Sequence, residues 1–519
     1  MNSRFAQFAA TRAYVIPLLI LVGLGPGLYK ITDESLWCDE QYTVEYSTLP
    51  TVPALIARTG EHDVHPPLYY LLMHPWLRLF GTSELALRLP SLLLACATVL
   101  MLYFAGSYAG GPAWGFTAAL ILAFLPWHVY YAQEARNYTL LGVLLTSSIC
   151  LSAYTRKHAT TRLHYVLFAL LGFCLSFTHA YGHMIVFTLC VVLLGHYLTT
   201  RRREHLVAAG CAAFGAALAV ALWAPFLAGN ISRFDASVHV RTMSAREFVS
   251  FFGRPLLAPL PSKPALVAGL GLLVTCFLLA FSYTEKREPW RWRIRLEPTV
   301  LMAATWLVLP VALIAAISFW RDAWLAVRLV ALALPPMALL LAACILYARR
   351  RAFAWVIAAV LSVVLLAGLA QVYGRHQKQE WREVGKFIAA QERPGDCLVV
   401  MDNGVIEHLL QRYYPGQLPI TGLSRSVKDP AALRAEMARL WPARGRLWFV
   451  LSHGFGNPLP RVLKNRWPGS ELTLDRQFVA IRLMLFSGPG PPPAWSSPGT
   501  TPAQEPAPPA AEIPPDYDG

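Results

Sequence analysis

Phe353-Ala-Trp-Val-Ile-Ala-Ala-Val-Leu-Ser-Val-Val-Leu-Leu-Ala-Gly-Leu-Ala-Gln-Val-Tyr373 is a run of 21 residues without a charge, preceded by Arg349, Arg350 and Arg351. A hydrocarbon core about 30 Å thick takes roughly 20 apolar residues in one helix. The run therefore has the length and composition of a membrane span. Ten more stretches of this kind lie upstream, near residues 13–29, 86–106, 112–131, 138–154, 164–178, 181–198, 206–228, 264–283, 299–319 and 325–347. The expected fold is a polytopic α-helical membrane protein with about 11 transmembrane helices. No small-residue cleavage site follows the first stretch, so it is expected to be retained and not removed as a signal peptide.

Composition agrees. Of 519 residues, 55% are hydrophobic and 14% charged, against roughly 45–50% and about 25% in soluble domains. An ordinary soluble enzyme is excluded. So are a disordered chain, by the 16 Trp, 21 Tyr and 25 Phe, and a disulfide scaffold, by only nine Cys. The net charge of +15 might suggest nucleic acid, but the basic residues lie in short clusters between apolar runs. These are Arg156, Lys157 and Arg162; Arg201 to Arg203; Lys286, Arg287, Arg291, Arg293 and Arg295; and Arg349 to Arg351. With Arg4 and Arg12 cytoplasmic, alternation of the spans puts all four clusters on the cytoplasmic side, as the positive-inside rule asks. The loops near 30–85 and 229–263 and everything after residue 374 are then outside.

Beyond the last span the pattern changes. Apolar strands beginning at Asp396 and Arg446 alternate with helix-like runs at Trp381–Gln391 and Ala431–Leu440, which predicts a small α/β domain over 376–486. Residues 487–519 are mostly Pro, Ala, Gly and Ser and are expected to be a disordered tail.

Chemistry-bearing residues concentrate in the outer segments. Asp33 and Glu34 read as ordinary solvated acids, whereas Asp39 and Glu40 stand between Trp37 and Tyr42 in a segment expected at the membrane interface. His65-Pro-Pro67 precedes Leu68–Phe80, which is too short to span and reads as an interfacial helix anchored by Tyr69, Tyr70 and Trp76. His65 at its entrance reads equally as structural or functional. Tyr130-Tyr-Ala-Gln-Glu-Ala-Arg-Asn-Tyr138 puts Glu134 and Arg136 at an outer boundary, where ionised groups need partners. His179 and His183 have metal-ligand spacing but no matching carboxylate, and Arg328 enters a span either to snorkel or to hold an anion.

Trp37-Cys-Asp-Glu40, His65-Pro-Pro-Leu-Tyr-Tyr70, Gly81-Thr-Ser-Glu-Leu-Ala-Leu-Arg-Leu-Pro90 and Tyr131-Ala-Gln-Glu-Ala-Arg-Asn-Tyr138 together resemble the membrane glycosyltransferases of the GT-C class. The nearest group is the bacterial family 39 and 83 branch, related to protein O-mannosyltransferases and the lipid A aminoarabinose transferase. The resemblance covers residues 1 to about 200 and returns at Trp381-Arg-Glu-Val. It implies inverting transfer of a sugar from a polyprenyl-phosphate donor to a lipid, glycan or protein acceptor on the periplasmic face of the bacterial inner membrane. Cell-envelope or lipopolysaccharide glycosylation is the expected setting.

By that resemblance Asp39 is the general base, with Glu40 beside it as a second choice, and Glu134 orients the acceptor or the first carboxylate. Arg136 and Arg328 would hold the phosphate, His65 and Tyr138 would bind substrate, and His179 and His183 would lie near the donor pocket. His65 stands where the aminoarabinose transferase carries a lysine, which weakens that particular activity. No metal ligand set is assigned, although a divalent metal is compatible with the family. The alternatives are a flippase of lipid-linked sugars and a non-catalytic scaffold. The first would bind the same phosphate without a base; the second has no use for acids in two successive outer loops.

Overall fold

In a computed structural model of the chain, the described residues are 2–63, 65–237, 298–320, 330–348, 351–401, 404–423, 446–452 and 471–488, with positions 267, 271 and 274. They form two compact units, one of residues 1–31 and 46–375 and the other of residues 32–45 and 376–519. The helices up to residue 374 are α1 (Asn2–Leu28), α2 (Cys38–Ser47), α3 (Val52–His62), α4 (Leu68–Phe80), α5 (Glu84–Gly110), α6 (Pro112–Phe124) and α7 (Pro126–Ala132). There follow α8 (Tyr138–Lys157), α9 (Arg162–Ser176), α10 (Gly182–Thr200), α11 (Glu204–Ser237), α12 (Pro298–Trp320), α13 (Val330–Leu346) and α14 (Arg351–Gly374).

Six of these, α5, α8, α10, α11, α12 and α14, are long and apolar enough to cross a membrane, and α6 and α7 pass the same test together as a bent pair, a broken span or a re-entrant loop. Shorter apolar helices occupy Ala13–Leu28, Arg162–Ser176 and Val330–Leu346. Ten of the expected stretches are thus helical where described, and of the one near 264–283 only positions 267, 271 and 274 are described, each of them helical. The chain is a multi-pass membrane protein.

The stretch near 112–131 departs from a straight rod: α6 and α7 meet at a bend of 65°. Leu125 is extended at the break, with φ −64 and ψ 124. The ring of Pro126 disfavours a helical residue before it, yet Pro126 itself suits the first position of the next helix. Helices α9 and α11 pack closely through Gly172 and Gly215, where a Cβ would collide with the carbonyls of Ala212 and Ala169. Side chains of α5, α6, α8, α10, α12 and α13 make the main core, and the Trp114 indole donates to the Leu339 carbonyl at 2.8 Å.

Helix α4 has the expected bounds, but its aromatic residues are used differently. Tyr69 and Tyr70 are 1% and 2% exposed. Their hydroxyls bond to Ser91 and Asp63, and Trp76 donates to the Ala86 carbonyl. Buried hydroxyls need protein partners, so these tyrosines face inward and are not interfacial anchors. Leu72, Leu79 and Phe80 are the exposed apolar residues of α4.

In the second unit, α15 (Trp381–Ala389) precedes β1 (Cys397–Met401), α16 (Val405–Tyr413), β2 (Ile420–Leu423), β3 (Leu447–Ser452), β4 (Glu471–Phe478) and β5 (Ile481–Ser487). The sheet order is β2-β1-β3-β5-β4. Strand β1 runs parallel to β2 and β3, and β5 runs antiparallel to β3 and β4. The expected strands at 396–401 and 446–451 are β1 and β3, while Ala431–Leu440 and the tail beyond residue 488 lie outside the described residues.

Asp396, at the entrance to β1, accepts from Arg446 Nε at 3.0 Å and Nη2 at 2.7 Å, from Trp448 Nε1 at 3.0 Å and from the Arg393 amide at 2.9 Å. Burial alone would raise its carboxyl, but these donors outweigh burial and hold it below the ordinary aspartate value. A depressed carboxylate stabilises the fold above its unfolded pKa, and the contribution is lost as pH falls through the folded one. Asp396→Asn is accordingly expected to lower the stability of this unit by roughly 2–3 kcal/mol at neutral pH. The deficit relative to the parent should shrink on acidification below the ordinary aspartate range, as checked by urea unfolding across that window.

Candidate functional site

The expected site residues fall into two groups, one in each unit. In the first unit the organising residue is Asp63, just after α3. Its Oδ1 accepts from the His65 amide at 2.9 Å, the local turn that an Asp makes with the amide two residues on. This fixes the chain ahead of Pro66-Pro67 and brings the first turn of α4 back over Asp63. Tyr70 Oη donates to Asp63 Oδ2 at 2.6 Å and accepts from Arg136 Nη1 at 2.9 Å. Asp63, Tyr70 and Arg136 are all buried.

The direction of the chain of bonds follows from the phenol. Burial pushes the Tyr70 hydroxyl well above its usual pKa, Arg136 opposes this and Asp63 adds to it. Tyr70 stays protonated, donates its hydrogen bond to Asp63 and leaves its oxygen lone pairs for Arg136. A buried guanidinium is thereby aimed through a neutral relay by a carboxylate two bonds away.

Arg136 lies in the turn from α7 to α8, and its amide donates to the Glu134 carbonyl at 2.8 Å. Glu134 is 1% exposed. Next to it, Asn137 Nδ2 donates to the Thr178 carbonyl at 3.1 Å, tying this turn to the one after α9. The Leu68 amide donates to the Phe177 carbonyl at 3.2 Å, which ties α4 to the same place.

These ties bring three of the expected aromatic residues together. The His65 and His179 rings lie 4.3 Å apart, and the Tyr138 ring is 6.4 Å from that of His179. His179 Nδ1 accepts from the Tyr181 amide at 3.1 Å, so in the neutral ring the proton is on Nε2. His183 Nδ1 bonds instead to the carbonyl of Ala180 at 3.0 Å. Tyr138 also lines a cavity of about 20 Å³, together with Thr98, His128, Tyr131 and Thr139. Arg328 lies outside the described residues.

In the second unit, Asp39 and Glu40 occupy the first turn of α2, where the helix dipole favours carboxylates. Asp39 is half-buried and Glu40 fully buried. Glu40 Oε1 pairs with Lys378 Nζ at 3.2 Å, both side chains being almost inaccessible. Glu34 is no solvated acid: its Oε1 accepts from the amides of Gln377 and Lys378. Among the described residues, no three His, Cys, Asp or Glu side chains converge to hold a metal ion.

Asp63, Tyr70 and Lys378 enter these groups without having been singled out as site residues in the sequence, as does Gln379, whose Oε1 accepts from the Cys38 amide at 3.1 Å. An Asp two residues before a His-Pro-Pro is a turn signal that points to Asp63. Nothing local marks Lys378 or Gln379, whose partners are far away along the chain.

Residues 64–228, under half of the chain, match the family model for dolichyl-phosphate-mannose-protein mannosyltransferase. The match takes in His65, Glu134, Arg136, Tyr138, His179 and His183. Among solved structures, the chain is similar to ArnT from Cupriavidus metallidurans bound to undecaprenyl phosphate, with 14% identity and a TM-score of 0.52 over 92% of this chain and 98% of that one. The apo state of the same protein gives 12% identity and a TM-score of 0.52 over 93% and 98%.

The chain has the fold of the GT-C membrane glycosyltransferases.

The chain is also similar to the oligosaccharyltransferase AglB from Archaeoglobus fulgidus in complex with an inhibitory peptide and a dolichol-phosphate. There the TM-score is 0.49 at 12% identity over 85% and 69% of the two chains. No curated protein matches it by sequence.

Proposed function

We propose that this GT-C protein is an inverting glycosyltransferase. It moves a sugar from a polyprenyl-phosphate donor to a hydroxyl of a lipid, glycan or protein on the periplasmic face of the bacterial inner membrane. The reading rests above all on the buried Asp63–Tyr70–Arg136 relay within the matched segment. A guanidinium fork binds phosphate oxygens two at a time, and here the Tyr70 hydroxyl fixes one in a buried place. The undecaprenyl phosphate bound to the similar ArnT structure supports a polyprenyl phosphate as its ligand.

In this reaction the acceptor oxygen attacks the anomeric carbon as the bond from that carbon to the phosphate oxygen breaks. The bonding electrons leave with the phosphate, and the configuration inverts. Asp39 takes the acceptor proton, a task typically worth about 10²–10⁴-fold. Arg136, with Arg328, stabilises charge growing on the phosphate, where a preorganised donor counts for more than in water. Glu134 orients the acceptor or the first carboxylate, and His65, Tyr138, His179 and His183 line the donor pocket.

The test is to incubate the purified protein with labelled polyprenyl-phosphate pentoses and hexoses and an envelope extract as acceptor. One donor is expected to give a labelled product of inverted configuration. If every donor fails while a lipid-linked sugar crosses vesicles containing the protein, the protein is a flippase and the proposal is wrong.

A further inference from the structure

In open α/β sheets, ligands enter the crevice at the carboxyl ends of parallel strands where the strand order reverses. In the second unit that point lies between β1 and β3, because β1 leads through α16 to β2 on one side while β3 lies on the other. The last residue of β3 is Ser452, and its Oγ accepts from Gln379 Nε2 at 2.9 Å. The chain's own glutamine therefore engages the place where such sheets take a ligand.

Gln379 passes the contact on. Its Oε1 accepts from the Cys38 amide at 3.1 Å and from Trp381 Nε1 at 2.8 Å. Its carbonyl accepts from Ser35 Oγ at 2.6 Å, and Ser35 Oγ in turn accepts from the Trp381 amide at 3.1 Å. The Leu36 amide donates to Tyr413 Oη at 2.7 Å. Arg382 donates to the Asp33 carbonyl at 2.7 Å, and Lys378 pairs with Glu40. Ser35, Glu40, Lys378, Gln379, Trp381 and Ser452 are each less than 5% exposed.

Such a buried polar network holds a single arrangement when its members are satisfied, and removing one member costs more than a surface bond would. What it holds is the amide of Cys38 and the carboxylate of Glu40, the residues on either side of Asp39. We infer that the outer α/β domain serves the reaction by positioning the base: Gln379 and Lys378 are positioning residues that clamp the first turn of α2 and so set the aim of Asp39. The inference rests on Asp39 being the base, as proposed above. On this reading the sheet is a mount for the acid loop and does not itself bind the sugar or the acceptor.

A misplacement of about 1 Å at a reacting group can cost on the order of 10²-fold in rate. Gln379→Ala is therefore expected to lower kcat about 10²-fold while leaving the donor KM within a factor of about two, because binding is not its task. Lys378→Met is expected to lower kcat similarly, and Lys378→Arg, which keeps the cation, to recover much of the loss. Ser452→Ala and Tyr413→Phe each remove one supporting bond and should give smaller losses, about 3- to 10-fold, again in kcat; they carry the test if the larger changes impair folding. Unchanged kcat in Gln379→Ala, or in the two milder variants where that one does not fold, overturns the inference, as does a loss confined to KM. Asp39→Asn is measured alongside: if it keeps full activity the proposed base is wrong, whereas an inactive Asp39→Asn with unaffected Gln379 and Lys378 variants refutes only the positioning role.

Discussion

Asp39→Asn is expected to abolish sugar transfer, with kcat falling by about 10²–10⁴-fold or below detection and the lipid donor still bound with near-parental affinity. That range corresponds to about 2.7–5.4 kcal/mol of lost transition-state stabilisation. The change removes the proton acceptor while the amide keeps nearly the shape of the carboxylate, and the contacts of Ser35, Leu36, Cys38 and Glu40 that hold the start of α2 remain. Single-turnover rates with the labelled donor, compared with donor binding by the same variant, separate the two effects. Loss of donor binding together with activity would assign Asp39 to the donor pocket. Full retention of transfer would remove the base from the mechanism.

The second large effect is expected at Arg136. Arg136→Met keeps the volume and leaves the Tyr70–Asp63 bond intact, so the fold should persist. Loss of the preorganised cation should lower kcat by about 10²–10³-fold, roughly 2.7–4 kcal/mol, and weaken donor binding as well. Arg136→Lys should fall between the two, because an ammonium is a point charge and cannot reproduce the fork that bonds Tyr70 and an anion together. Tyr70→Phe removes the relay: Asp63 loses its phenol donor, at a cost of about 1–3 kcal/mol in stability, and Arg136 loses its aim. Rates for the three variants with one donor give the order. A Tyr70→Phe variant with unaltered rate would mean that Arg136 is aimed by other contacts.

Much of the architecture was legible in advance because membrane insertion is governed by sums over about 20 residues. Hydropathy located the run 353–373, seen as α14, and helical spacing after Pro66-Pro67 located the non-spanning helix Leu68–Phe80, seen as α4. The alternation after residue 376 pointed in the same way to β1 and β3. The motif-bearing loops likewise marked Asp39, His65, Glu134 and Arg136 by their residue types, though not what each one touches. Asp63 was within reach through its turn signal; Lys378 and Gln379 were not, because a lysine and a glutamine before a helix look like ordinary polar residues.

The amino-acid sequence by itself determined that the chain is a membrane protein, where its apolar helical stretches lie, and where an α/β unit begins. These depend on composition and periodicity within short windows. Only the tertiary structure decided how equal apolarity is divided. Helix α13 is buried along almost its whole length, while in α14 Trp355, Val363 and Leu366 are exposed to the surroundings that lipid would fill. It also decided that Tyr69 and Tyr70 turn inward, that the stretch near 112–131 breaks at Leu125, and that Glu40 finds Lys378. Burial and hydrogen bonding are properties of pairs brought together by packing, and no local sum over the chain contains them.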